Sequence, residues 1–208
     1  MQGFEFNTVR QIINGAGSAL QLAEQCRRLG MDRPMLVTDP GLVAIGLIAP
    51  VVAALESEGF SPVMFDQVRE DPPEATVLAA AALGREAAVD GVIAVGGGSS
   101  MDVAKVVAVL LGGHQPLAEL YGVGMVRGER LPLVLVPTTA GTGSVVAAVA
   151  VIATGETTQA GVSSPGLLPD AGLLDAGRTL GLAAAVTAMW GVDGWGRAGV
   201  GVSSRVRE

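Results

Sequence analysis

The chain is poor in cysteine, histidine, aromatics and charge. Its 208 residues include one cysteine, one histidine and one tyrosine, with 3% aromatic and 16% charged residues. A single thiol, Cys26, cannot close an internal disulfide, which suits a reducing compartment, and a cytoplasmic location is expected. The single imidazole, His114, follows Gly112-Gly113 and reads as a loop histidine, because a metal site needs several ligands. A net charge of −7 and the scarcity of aromatics exclude the basic footprint of a nucleic-acid surface. The N-terminus Met1-Gln2-Gly3-Phe4-Glu5-Phe6 has neither a basic n-region nor an apolar h-region, so no signal peptide is expected.

Apolar residues, by contrast, make up 50% of the chain, and its mean hydropathy is +0.50, enough to raise the question of a membrane. Residues 131–155 carry no charge, yet they contain Pro132, Pro137, Gly141, Gly143 and four threonines. The middle of such a segment would leave backbone groups unsatisfied in lipid. Residues 42–55 are also uncharged and too short to span. Both stretches fit elements buried inside a parallel sheet covered on both faces, and no membrane partner is expected.

Taken in order, short apolar strands alternate with helical patterns. Strands are read at Phe4-Glu5-Phe6, Gln11-Ile12-Ile13, Pro34-Met35-Leu36-Val37-Thr38, Pro62-Val63-Met64-Phe65, residues 91–95, 131–136 and 145–153, and the buried Leu173-Leu174. Helices are read at 18–29 with Ser18 as cap, from Asp39-Pro40-Gly41 to about 58, at 74–89, and from Ser99. Residues 155–158 read as a turn. From about Thr179 the pattern is helical again, until the glycine-rich end over residues 199–208 weakens it. This alternation is the signature of an α/β fold with a parallel, doubly covered sheet, and the composition changes near residue 178.

In such sheets ligands sit at the carboxyl ends of the strands, and three of those ends carry polar or glycine-rich chemistry. One is the run Gly96-Gly97-Gly98-Ser99, a tight turn into a helix. Unpaired N–H groups at a helix start, and glycines without Cβ, make a phosphate cradle; the alternative is a glycine-rich turn that binds nothing. A second is Asp39, which either accepts hydrogen bonds from a ribose 2′-hydroxyl, favouring NAD over NADP, or serves an Asp-Pro-Gly turn. The third is Pro137-Thr138-Thr139-Ala140-Gly141-Thr142-Gly143-Ser144, whose hydroxyls on Thr138, Thr139, Thr142 and Ser144 either face a cofactor or belong to a small-residue turn. Ser99 and Asp102 have capping-box spacing. Lys105, one turn further along, reaches either the crevice or the surface.

Together these three motifs, with the helix start Ser99-Ser100-Met101-Asp102-Val103-Ala104-Lys105, resemble the iron-containing (group III) alcohol dehydrogenase family over roughly residues 4–175. The resemblance implies a Rossmann-like, dehydroquinate synthase-like sheet domain over residues 1–178. It also implies the start of an all-helical metal-binding domain over 179–208, cut short here. Gly96, Gly97, Gly98 and Ser99 would hold the pyrophosphate, Asp39 the adenosine ribose, and Thr138, Thr139, Thr142 and Ser144 the inner cofactor site. The family reaction moves a hydride between an alcohol or aldehyde and nicotinamide, with a divalent metal, Fe or Zn, as Lewis acid.

Departures from the family pattern concentrate on that metal. Asp193 matches the first ligand, but the histidine expected four residues later is Arg197, which cannot ordinarily be a ligand, and two further family histidines would fall beyond residue 208. Asp193 is then the one metal-ligand candidate, and no catalytic residue is assigned. Val145 stands where the family has glutamate, Gln159 where a cofactor-contacting lysine is often found, and a proline expected near Leu182 is missing. The resemblance therefore implies an NAD-dependent alcohol dehydrogenase with impaired metal binding, or a non-catalytic NAD-binding module. Helices left uncovered in such a chain would expose apolar surface and favour a homo-oligomer.

Overall fold

The computed structural model describes residues 7–155, 157–180 and 184–203. The expected strand Phe4-Glu5-Phe6, Leu182 and residues 204–208 lie outside them. In chain order the elements are β1 (Ile12–Asn14), α1 (Leu22–Arg28), β2 (Pro34–Val37), α2 (Pro40–Ala44), α3 (Ala49–Ser57), β3 (Val63–Phe65), α4 (Glu74–Glu86), β4 (Gly91–Gly96), α5 (Gly98–Gly112), β5 (Gly122–Val123), β6 (Leu133–Pro137), β7 (Val149–Ala153), β8 (Gln159–Ser163), β9 (Ala171–Leu174) and α6 (Ala184–Ser203). Six strands form one sheet in the order β1-β9-β6-β4-β2-β3, with every neighbouring pair parallel.

Strands β4 and β6 are buried along their whole length, which explains why they read as unbroken apolar runs rather than as alternating ones. Successive side chains serve opposite faces. Leu36, Ile93, Val95, Val134 and Val136 pack with Leu22, Cys26, Val51 and Leu55. Met35, Val37, Val92, Ala94, Leu133 and Leu135 pack with Val77, Ala81, Val103 and Val107 on the other face. Burial pushes the Cys26 thiol up to about 12, so it behaves as a small core hydrophobe. The uncharged stretch 131–155 resolves into β6, a loop and β7, and among the described residues no helix is long and apolar enough to cross a membrane.

Local departures from the sequence reading have physical causes. The helix expected from Asp39 to about residue 58 is broken into α2 and α3, with Gly46 at φ +74° between them. Ser18 opens a short 3-10 turn but does not cap it: the cap position is Gly17, without a side-chain cap bond, and the Ser18 hydroxyl is buried without a partner. Asp175, distant in sequence, takes that role by accepting from the amides of Gly17 at 3.1 Å and Ala19 at 3.3 Å. The strand expected over 145–153 begins only at Val149. It belongs to a second sheet, β5-β8-β7, that the sequence hid: β5 has two residues, and Gln159-Ala160-Gly161-Val162-Ser163 has a single β-branched side chain. Despite its glycines, α6 runs to Ser203.

Close packing makes a sharp demand at Gly112, where α5 ends. A Cβ there would stand 2.5 Å from the carbonyl carbon of Arg130 and 2.6 Å from the amide nitrogen of Leu131, so α5 and the segment entering β6 would have to separate. Gly112→Ala is expected to cost about 1–3 kcal/mol, as overpacking does, and to lower the urea midpoint. By comparison Gly161→Ala, whose Cβ meets nothing within 4 Å, should stay within about 0.5 kcal/mol of the parent.

Candidate functional site

Parallel pairing brings the three polar strand ends side by side. Val37 is in register with Ala94, and Val95 and Gly96 with Val136 and Pro137. Cross-links beyond the ladder fix the ends further. The Thr38 hydroxyl donates to the Val95 carbonyl at 2.8 Å, and the Thr138 amide donates to the Gly96 carbonyl at 3.0 Å. Over these ends lies a cleft of about 790 Å³ whose walls include Asp39, Gly97, Gly98, Ser99, Thr142 and Ser144. The segment 68–71, β7 and α6 complete it.

The floor of the cleft is the start of α5. Gly97 is its cap residue, in extended backbone and without a side-chain cap bond. The first amide to return into the helix is that of Met101, to the Gly97 carbonyl at 3.1 Å. Amides of Gly98, Ser99 and Ser100 therefore have no intrahelical acceptor and carry the positive end of the helix dipole. A Cβ on Gly98 would lie 3.3 Å from Thr142 Cγ2, and one on Gly97 3.5 Å from Thr139 Cγ2, so any side chain there would fill the gap between cradle and loop.

Asp39 serves the turn at the start of α2 and keeps one oxygen on the side of the cradle. Its Oδ1 accepts from the Leu42 amide at 2.9 Å and caps α2, while its Oδ2 would stand 3.8 Å from a Cβ on Gly96. Thr139 carries an oxygen, Oγ1, that is buried without a hydrogen-bond partner next to Gly97. A buried, unsatisfied hydroxyl beside a backbone cradle fits a dinucleotide that supplies the missing partner. Thr142 and Ser144 also line a second cavity, about 430 Å³, with Thr139, Asp175 and Thr179. Thr138 is 1% exposed and lines neither cavity.

The capping-box spacing of Ser99 and Asp102 proves to be something else. Asp102 does not cap α5. Its carboxylate accepts from the Ser144 hydroxyl at 2.8 Å and the Val151 amide at 3.1 Å, and it lies 3.7 Å from the Lys105 ammonium. Lys105 faces neither crevice nor surface. It is fully buried and donates to the carbonyls of Ala147 at 3.0 Å and Val149 at 2.7 Å. The pair thus clips the threonine loop and β7 onto α5, a role that required knowing what packs on the helix. Burial pushes the Lys105 ammonium down to about 8, against the opposing pull of Asp102. Burial likewise raises the Asp102 carboxyl, against Lys105, Ser144 and Val151.

Helix α6 closes the cleft through Met189, Trp190, Asp193 and Arg197. Gly141 permits its approach: a Cβ there would stand 2.7 Å from the Trp190 carbonyl oxygen. Arg197 Nε donates to both Asp193 oxygens, at 3.1 and 3.0 Å. Among the described residues no group of three or more His, Cys, Asp or Glu could hold a metal. His114 follows the far end of α5, which is about 1.5 Å per residue long over its 15 residues. Cys26 is in the core. These donors do not fit a divalent metal. Gln159, at the expected lysine position, donates to Asp71 at 2.9 Å on the rim of the same cleft.

A parallel sheet with a glycine-rich turn opening a helix at the carboxyl edge of a central strand defines a Rossmann-like α/β protein. Residues 9–176 match the family described as iron-containing alcohol dehydrogenase, and the chain belongs to that family. It is 41% identical over 182 residues to 4-hydroxybutyrate dehydrogenase of Cupriavidus necator, covering 85% of this chain and 47% of that protein. It is also 34% identical to sulfoacetaldehyde reductase of Bilophila wadsworthia, covering 91% and 49%. Among solved structures, 1,3-propanediol oxidoreductase superposes with a TM-score of 0.88 at 29% identity, over 92% of this chain and 50% of that one. Sulfoacetaldehyde reductase of Bifidobacterium kashiwanohense, solved with NAD+, does so at 0.84 and 27%, over 93% and 51%. The chain spans about half the length of the curated relatives it matches.

The buried ammonium gives the stability a pH dependence of known sign. Lys105 holds its proton up to about 10.5 when unfolded but only to about 8 when folded, so the unfolded state binds more protons between those values and stability rises with pH across them. Relative to Lys105→Met, the parent is expected to gain about 2 kcal/mol between roughly pH 7 and pH 10 in urea unfolding. A flat difference would mean that the ammonium is not desolvated.

Proposed function

We propose that this chain supplies the dinucleotide-binding part of an NAD-dependent alcohol dehydrogenase, in which a hydride passes between a small alcohol or aldehyde and nicotinamide. The supporting observation is the convergence of Asp39, the Gly97-Gly98-Ser99 cradle and the threonine loop on one cleft. In this reading residues 1–178 hold the nucleotide and 179–208 begin a helical unit. The bound cofactor would supply the hydride acceptor or donor. Amides at the start of α5 would receive the pyrophosphate, with the bare Gly97 and Gly98 leaving room for it, while the missing Cβ of Gly96 makes room for the Ser100 side chain instead. The Asp39 carboxylate would accept from the adenosine ribose and repel a 2′-phosphate. Thr139, Thr142 and Ser144 would orient the inner half, with Thr138 holding the strand end beneath them. A cytoplasmic location and a homo-oligomer belong to the same reading.

One observation favours a second reading, a module that binds NAD without turnover: the carboxylate expected to ligate metal is already paired with Arg197. Trp190 lines the cleft, so its fluorescence can report binding. Titration with NADH is expected to quench it saturably, and NADPH to bind at least about tenfold more weakly, equivalent to about 1.4 kcal/mol. Gly98→Val should weaken NADH by about tenfold or more while leaving the circular dichroism spectrum unchanged. Absence of NADH binding, or indifference to Gly98→Val, would contradict the proposal. Alcohol-dependent NADH formation by the bound protein separates the dehydrogenase from the module.

A further inference from the structure

We infer that the Arg197 guanidinium stands in for a divalent cation on α6, so that this chain takes its nucleotide without a metal. The inference rests on the nucleotide reading of the cleft and adds to it that the opposite wall is sealed against metal. Asp193 and Arg197 are four residues apart on one face of α6, and both line the same cleft as Gly97 and Gly98. Arg197 Nε donates to both carboxylate oxygens, so a metal would have to compete with a cation already placed on them. A guanidinium has donors only and keeps its charge throughout the accessible pH range. It therefore offers a metal no electron pair and repels it.

Among the described residues the other acids around the cleft have partners of their own and do not gather into a group that could hold a metal. Asp39 caps α2, Asp71 accepts from Gln159, and Asp102 accepts from Ser144 and Val151 beside Lys105. Glu70 remains, but it is exposed on the rim, and one solvated carboxylate makes no site. Among the described residues the one imidazole, that of His114, follows the C-terminal end of α5, away from the cradle at its start. The pairing that removes the metal also neutralises Asp193 opposite the place where pyrophosphate charge would sit, which favours an anionic ligand.

The test uses the whole 208-residue chain and two separate readouts. After dialysis against zinc or cobalt, the parent should retain less than about a tenth of an equivalent of metal, and its NADH affinity should change by less than about twofold on adding EDTA. Arg197→His converts the pair into an Asp and His at i and i+4, and should bind cobalt at least about tenfold more tightly, seen in the visible d–d spectrum. Arg197→Ala, which removes the charge without adding a ligand, should gain less than Arg197→His. One equivalent of metal retained by the parent, loss of NADH affinity in EDTA, or no gain in Arg197→His would each overturn the inference. If NADH fails to bind in either buffer, the nucleotide reading fails instead, and the metal measurement still decides the fate of Asp193.

Discussion

Parallel pairing of β2, β4 and β6 is the constraint on which the rest of the molecule depends. Adjacent parallel strands in register must end at the same level, so whatever follows each strand is delivered to one edge. Here the deliveries are an acidic turn, a glycine cradle and a hydroxyl-rich loop. The buried apolar runs of β4 and β6 set that register because both faces are covered, and a slip of one residue would exchange the two cores. Long-range packing in the sheet and the local chemistry of the cleft are in this sense one problem.

Helix α5 performs two tasks along its length. Its first turn has no side-chain cap, and its bare glycines leave the free amides of that turn open to the cleft. One turn later Asp102 and Lys105 give up solvent to hold the loop and β7 that roof the cleft. Burying two charges is costly unless every polar atom is met, and here a hydroxyl, an amide and two carbonyls meet them. The roof over the cradle is thus fixed by the helix that forms its floor, so the spacing between Gly98 and Thr142 is set within one unit.

How much of this could be read from the residues depends on how local the cause was. The six-stranded sheet was legible because apolar runs such as Gly91-Val92-Ile93-Ala94-Val95 bounded by turn residues admit few other structures; the strand expected at Phe4-Glu5-Phe6 lies outside the described residues. The glycine turn and the threonine loop were legible as strand ends for the same reason, as was the turn that Asp39 serves by capping α2. Non-local causes were not legible. Asp175 capping the turn at Gly17, Lys105 reaching Ala147 and Val149, and the pairing of Gln159 with Asp71 all depend on what packs against the residue. The small sheet β5-β8-β7 was hidden by the same limitation: β7 read as a strand, but β5 has two residues and β8 a single β-branched side chain.

The chain belongs to the iron-containing alcohol dehydrogenase family, and in the proposed reading its cleft would keep the nucleotide wall while Arg197 alters the wall that α6 supplies. The central claim is that the three strand ends act as one binding surface. Hydrogen exchange followed by mass spectrometry, with and without NAD+, tests it most directly. The account predicts that NAD+ slows exchange together in segments 39–42, 96–101 and 138–144 and leaves 112–129 unchanged. Slowing confined to one of those three segments, or centred on 112–129, would contradict it.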